Sequence, residues 1–377
     1  ISQTISRGLI AFDETGQVKP DLAKTWEILE EETLYKIYLK PDVFWNDGTR
    51  LIASDLNYDI PDVEVRYPTE NIIEFKLEES YSPFLSILAR PVFNNNQLGA
   101  GDFTIKKIKY RGPFLKSLEL VGSNKTLIYQ FYPSNQSAWL GFRLGEVNTL
   151  KNLITNPLSE AWQKKLDINE STNYQQYIAI IFNLSHPQLA AKPLRQALAY
   201  AIKDKSPSPE TRALSPISPK SWAYNSKVKP YNFSPSQAKD LFEKAGEEAS
   251  ISGQLEINLG TSPSLLNLAE SIAQSWEETL NIKTNVKTIN SIDQNFEAIL
   301  VVQEIPLDPD QHALWHSTQD TNISKYSDLK VDKLLEDGRK ILDQDQRAET
   351  YQDFQRFLVE DSPAIFLQHP ITYTINR

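Results

Sequence analysis

LEINLGTSPSLLNLAESIAQSWEETLNIKTNVKTINSIDQNFEAILVV, residues 255–302, carries the pattern from which the fold class is read. Leu255, Ile257 and Leu259 alternate with polar neighbours, the period of a half-buried strand. Ser262-Pro263 then supplies an N-cap and a first-turn proline, and Leu265, Leu268, Ala269, Ile272, Trp276 and Leu280 recur at helical spacing. A strand returns at about Ile282 to Val286, and Phe296 to Val302 is a near-continuous apolar run suited to a buried strand. Strand, helix, strand in that order predicts a parallel pair joined by a crossover helix.

The same grammar extends both ways. Upstream, Tyr177 to Phe182 is a short apolar run, and Leu194, Ala197, Leu198, Ala201 and Ile202 mark a helix entered at Pro193. Ser206 to Pro219 is rich in Pro and Ser and reads as a loop. Ser234-Pro235 starts a helix with Ala238, Leu241, Phe242 and Ala245 on its apolar face, expected to stop at Gly246. Downstream, helices are expected over about 329–342 and 345–360, then strands at Ala364 to Leu367 and Ile371 to Ile375. The first half reads as mixed strands and turns: Tyr35, Ile37 and Leu39 alternate, Asn46-Asp47-Gly48 is a turn, and Leu127, Tyr129 and Phe131 alternate again. A mixed α+β first part and an α/β second part are expected, and 377 residues exceed one ordinary core.

Composition excludes more than it identifies. With 39 Lys and Arg against 49 Asp and Glu, the net charge is -10. That charge disfavours nucleic acid and anionic lipid as partners, and no basic stripe is read that would offset it. The chain has no Cys, which removes disulfides, Cys-zinc sites and thiol nucleophiles. No apolar run approaches a bilayer span. The first residue is Ile1, so a signal peptide or lipoprotein leader is expected upstream. There is no G-x-S-x-G, P-loop or H-E-x-x-H motif, and no cofactor is expected.

A resemblance adds function. Arg7-Gly8-Leu9-Ile10 with Lys19-Pro20-Asp21-Leu22-Ala23-Lys24-Thr25-Trp26-Glu27 resembles the N-terminal signature of family-five extracellular solute-binding proteins, the oligopeptide and dipeptide binders of ABC importers. The resemblance continues through Val43-Phe44-Trp45-Asn46-Asp47-Gly48-Thr49, Leu98-Gly99-Ala100-Gly101-Asp102-Phe103, Gly145-Glu146-Val147-Asn148 and Leu194-Arg195-Gln196-Ala197-Leu198-Ala199-Tyr200-Ala201-Ile202. It closes with Asp332-Lys333-Leu334-Leu335, Arg347 to Tyr351 and Glu360-Asp361-Ser362-Pro363. It implies a two-lobed type II periplasmic-binding-protein fold with hinge strands and a small solute, peptide first, held between the lobes. The implied first lobe is 1–178 plus 367–377 and the second 179–366, with chain crossings near Tyr177–Ile181 and Phe366–His369. The implied partner is a membrane permease, and the implied setting an extracytoplasmic monomer, free or lipid-anchored. After Ala53-Ser54-Asp55 the chain passes almost directly into a strand pair at Asp62 to Leu77, so the first lobe is shortened relative to the family.

Ligand-site candidates follow. The stretch Gln303 to Trp315 leaves the carboxyl end of the 296–302 strand, where open α/β sheets bind ligands. Within it Gln303, Glu304 and Asp308 are polar candidates, the two acids for a ligand amine, and Trp315 would cover the ligand. The alternative is a solvated loop with a packed Trp. The place where peptide binders of the family carry an amine-pairing Asp is occupied by Ile305. The resemblance adds Trp222 and Tyr224 in a Pro-rich loop, and Gly8, Gly101 and Phe103 from the first lobe. His312 and His316 are four apart and share a helix face, which opens a metal or metal-chelate reading. Hydrolase and structural-module readings rank below both.

Overall fold

The computed structural model describes residues 1–94, 98–153, 165–249, 255–289, 291 and 296–377. By compactness the chain divides into two units. The first is Ile1–Leu150 with Arg339–Asp343 and Ile375–Arg377; the second is Lys151–Gly338 with Gln344–Thr374.

In the first unit, strands β1 (Ile10–Phe12) and β2 (Val18–Pro20) form an antiparallel ribbon. Beside them in sequence, β3 (Ala23–Leu29), β4 (Leu34–Leu39), β5 (Val63–Thr69) and β6 (Ile72–Leu77) make an antiparallel sheet in the order β3-β4-β6-β5. The alternation at Tyr35, Ile37 and Leu39 buries that face of β4. Tyr35 and Phe75 pack on Phe84, at 4.7 and 5.3 Å between ring centroids, so the short helix Phe84–Leu88 closes this core. The 3-10 turn Ala53–Asp55 leads within seven residues to the β5–β6 hairpin. Gly48 makes its turn at φ +86°, a conformation costly for any residue with a Cβ. A third sheet, β7 (Phe103–Arg111), β8 (Phe114–Gly122) and β9 (Thr126–Gln130), rests on a small cluster of Ile5, Phe103, Leu118 and Leu120.

The second unit is built on a five-stranded sheet of β12 (Gln176–Phe182), β13 (Glu256–Thr261), β14 (Lys283–Thr288), β15 (Ala298–Glu304) and β16 (Ala364–Gln368). Their order is β14-β13-β15-β12-β16. Strand β13 runs parallel to β14 and β15, as the β-α-β reading of 255–302 requires, while β12 is antiparallel to both of its neighbours. Tyr177 to Phe182 are all buried, which is why β12 reads as an apolar run without alternation. The crossover helix is Leu266–Leu280; fully buried Trp276 donates its indole N–H to the Leu198 carbonyl at 3.0 Å and so fixes it against the helix Lys192–Ala201. That second helix carries a buried Arg195 whose guanidinium donates to the carbonyls of Leu189, Ala190, Asp361 and Ser362. Its position in an apolar helix follows from this: it pins the ends of three segments at once.

Three local expectations change. Ser262 does not cap the crossover helix, because a 3-10 turn at Pro263–Leu265 intervenes, and its hydroxyl instead meets that of Ser264 at 2.9 Å. The helix starting at Pro235 runs past Gly246 to Ala249, since this glycine keeps a right-handed conformation and costs only about 1 kcal/mol within a helix. The strand read at 296–302 lies at 298–304, so Gln303 and Glu304 end β15.

The segments Tyr177–Ile181 and Phe366–His369, where crossings are expected, fall in or next to strands β12 and β16. Both β12 and β16 are hydrogen-bonded members of the five-stranded sheet. By compactness the chain changes unit within β10 (Thr149–Leu153), on either side of Arg339–Asp343, and within β17 (Ile371–Asn376); β10 and β17 lie in a three-stranded sheet with β11 (Asp167–Thr172) in the order β10-β17-β11.

Candidate functional site

The antiparallel pairing of β12 with β15 places Glu304 opposite Gln176 and Gln303 opposite Tyr177. On the other side of β12, Ile178 faces Gln368 of β16. The carboxyl ends of β15 and β16 and the start of β12 therefore share one end of the second unit's sheet. Glu304 is exposed there, and Gln303 is half-buried. Ile305, the next residue, is buried and donates its N–H to the Gln175 carbonyl at 2.8 Å. Ile305 thus belongs to the packing and its side chain has no group to pair with a ligand amine.

The segment after β15 is held by its own polar groups. The Asp308 carboxylate accepts the Asp310 N–H at 2.9 Å, and Asp310 accepts the His312 N–H at 3.0 Å. A short helical turn, His312–Trp315, follows, and beyond it Ser317 donates N–H and O–H to Asp332 at 2.9 and 2.6 Å. Asp308 was expected to face a ligand amine. Both of its oxygens instead accept from the Arg347 guanidinium, at 2.7 and 2.9 Å, and the side chains are 13% and 6% exposed. Arg347 also donates to the Gly338 carbonyl and lies 5.6 Å from the ring of Trp222 and 5.3 Å from that of Tyr351. Two candidates from distant sequence, Trp222 and Asp308, are brought together by an arginine that the sequence reading matched only as part of a helix.

Two residues of this segment hold polar atoms without partners. Gln311 is 1% exposed, and neither its amide nitrogen nor its amide oxygen has a hydrogen bond; Trp315 is 2% exposed, and its indole N–H is likewise unpartnered. Each such atom costs about 1–3 kcal/mol. The Trp315 ring is placed by Phe366 of β16, at 6.2 Å between centroids, and Phe366 by Tyr177 of β12 at 5.1 Å. Gln311 was missed in the sequence, where an isolated Gln carries no signal.

At the far edge of β16, Arg212 bridges to Gln368 and donates to the carbonyls of Phe366, Leu367 and Pro230. It saturates an open strand edge. Burial, with a lesser contribution from Arg212 opposing it, pushes the Tyr224 hydroxyl upward, and Tyr224 lies half-buried in a turn closed by its N–H to Ser221. His369 is buried, with Nδ1 2.8 Å from the Gln176 carbonyl; burial holds its pKa below the usual value.

The candidates from the first unit are engaged in that unit's packing. A Cβ on Gly8 would lie 2.6 Å from the Ala89 carbonyl carbon, and one on Gly101 would lie 2.6 Å from that of Ile5. Phe103 is buried in the small cluster beneath β7 and β8. Glycine is required at 8 and 101 because two backbones touch. Gly101→Ala is expected to cost about 1–3 kcal/mol, as other overpacked sites do. A thermal melt with an unchanged midpoint would contradict that reason.

The His312 and His316 rings stack at 4.1 Å and 18°. His316 is buried, with Nδ1 2.9 Å from the Thr318 hydroxyl and Nε2 3.4 Å from Glu336. Among the described residues, no group of three or more His, Cys, Asp or Glu is placed to hold a metal ion.

Two compact units, with a mixed five-stranded sheet and crossover helix in the second, define the type II periplasmic-binding-protein fold. The solved structure of NikZ from Campylobacter jejuni, in complex with Ni(L-His), superposes with a TM-score of 0.81 at 23% identity, covering 99% of this chain and 88% of that one. Residues 121–325, more than half of the chain, match the model of bacterial extracellular solute-binding proteins, family 5 (middle), and the chain belongs to that family. Among curated relatives, the oligopeptide-binding protein AppA of Bacillus subtilis is 24% identical over 96% of this chain and 80% of its own length. The dipeptide-binding protein of Escherichia coli is 22% identical, with 95% and 82% covered.

Proposed function

We propose that this chain captures a peptide on the extracytoplasmic side of the membrane and presents it to an ABC permease. It does so as a monomer, by binding without turnover. The names of its relatives support a peptide as solute. One observation of the molecule itself carries the reading: the Gln311 amide and, four residues on, the Trp315 indole N–H are both buried and unpartnered. A carboxamide offers donor and acceptor together, which is what a peptide group requires, and the indole adds a further donor. The ligand would be completed by Glu304 and Gln303 at the end of β15, with Trp222 and Tyr224 in the neighbouring loop, and the chain crossings in β10 and β17 would serve as hinge strands for closure.

The test is thermal stabilisation and calorimetry with di-, tri- and longer peptides, with Ni(L-His) as a second arm. A bound solute at a hundred times its Kd adds about 2.7 kcal/mol to stability. Gln311→Met keeps the side-chain shape and removes the unpartnered amide. It is expected to leave the unliganded protein equally or more stable while weakening peptide binding about tenfold, one lost hydrogen bond to a buried partner. Unchanged affinity would remove Gln311 from the site; stabilisation by the nickel complex and by no peptide would replace the solute.

A further inference from the structure

The β7–β8 hairpin has a composition unlike that of the whole chain. From Phe103 to Leu118 it contains Lys106, Lys107, Lys109, Arg111 and Lys116 and no carboxylate, in a protein of net charge -10. Pairing brings these residues onto one two-stranded arm: Lys107 lies opposite Glu119, Lys109 opposite Ser117, and Arg111 opposite Phe114 at the turn around Gly112, φ +59°. Burial falls along the arm. Phe103, Leu118 and Leu120 are buried at its root, whereas Tyr110 and Phe114 at its tip are 63% and 74% exposed, and Ile108 is also exposed. Among the described residues, Lys106 is the one cation of the five that pairs with a carboxylate, Glu119 at 3.0 Å.

Lysines on an edge strand are commonly explained as protection against strand-to-strand aggregation, and β7 is an edge. That reason does not cover Tyr110 and Phe114, because aromatic rings exposed at the tip of an edge hairpin increase the hazard. Cations flanking exposed aromatic rings are instead the composition that anchors segments at the headgroup level of a bilayer, where the ring has an apolar body and the cation meets phosphate. We propose that the tip of the β7–β8 hairpin docks on an anionic phospholipid surface. This reverses the expectation, drawn from net charge, that anionic lipid is a poor partner. The physical reason is local composition: screening limits each charge to about 8 Å at physiological salt, and from Lys106 to Lys116 the hairpin carries five cations and no carboxylate. The tip therefore meets the membrane as a cation, whatever the sign of the remainder. The proposal is independent of which solute the protein binds.

The chain has no Cys, so Pro113→Cys gives a unique position at the turn for an environment-sensitive fluorophore. Vesicles of phosphatidylcholine with one-third phosphatidylglycerol are expected to shift its emission to the blue, and vesicles of phosphatidylcholine alone are not. Salt at about 0.5 M should abolish the shift. Replacing Lys107, Lys109 and Arg111 together by Gln should weaken vesicle binding about a hundredfold, near fivefold for each cation. Phe114→Ser should weaken it with the charges intact. All four are exposed positions, and a thermal melt with an unchanged midpoint checks that the variants are folded. Equal binding to neutral vesicles, or binding indifferent to the triple substitution, would overturn the proposal. So would capture of polyglutamate with no affinity for either vesicle, which would assign the hairpin to an acidic protein.

Discussion

Arg347→Ala is expected to destabilise the second unit by about 3–5 kcal/mol, the cost of breaking one half of a buried ion pair. Three of its N–H groups are committed, two to Asp308 and one to the Gly338 carbonyl, and its plane lies near the rings of Trp222 and Tyr351. Removal leaves the Asp308 carboxylate largely out of water with only the Asp310 N–H for company. Arg347→Lys should recover little, because an ammonium cannot make the two parallel bonds or spread over the rings. Replacing both partners, Arg347→Met with Asp308→Leu, should cost less than either single change, since no charge is then stranded. The measurement is the urea midpoint at constant slope. A loss below about 1 kcal/mol would mean that the pair is loosely held, and Asp308 would return to the ligand candidates.

The parent protein is expected to gain stability with rising pH between about pH 7 and 10.5, and Lys205→Met to remove that dependence. Lys205 is 6% exposed and donates to the Ile202 carbonyl at 2.7 Å; burial, and then the charge of Arg212, depress its pKa from 10.5 to about 7. Between these two values the unfolded chain holds a proton that the folded chain lacks. Stability from this group therefore rises with pH across the window, by about 1.4 kcal/mol per unit. Below the window both states are charged and the burial penalty is paid in full. The difference between parent and variant stability should thus be largest near and below pH 7 and vanish above pH 10.5. His369, also depressed by burial, adds a slope of the same sign below its ordinary value of 6.5. A parent and variant whose stability profiles run parallel from pH 7 to 10 would show that Lys205 finds water or a counter-charge in the folded state.

Much of the fold was written in local periodicity. The alternation at Tyr35, Ile37 and Leu39, the helical stripe from Leu265 to Leu280 and the apolar run Tyr177–Phe182 each report one face or two faces of burial, and side-chain pattern encodes that directly. The family signature in the first hundred residues, the Arg195-Gln196 helix and the C-terminal helices stood in the sequence for the same reason: they mark glycines at backbone contacts and buried polar residues with specific carbonyl partners. The site was less legible. Asp308 and Trp222 could be picked out singly, but that Arg347 would claim both depends on segments 39 and 125 residues away meeting at one point.

By itself, then, the amino-acid sequence determined the α/β class, the parallel β-α-β unit, the absence of cysteine chemistry and the family to which the chain belongs. Only the tertiary structure decided which carboxylate is already paired, which polar atoms at Gln311 and Trp315 are left without partners, and that the cations of residues 106–116 stand on a hairpin whose aromatic tip is exposed. The reason is physical. Periodicity records how each residue stands toward its own element's buried face, whereas hydrogen-bond satisfaction and charge neutralisation depend on groups that approach from elsewhere in the chain.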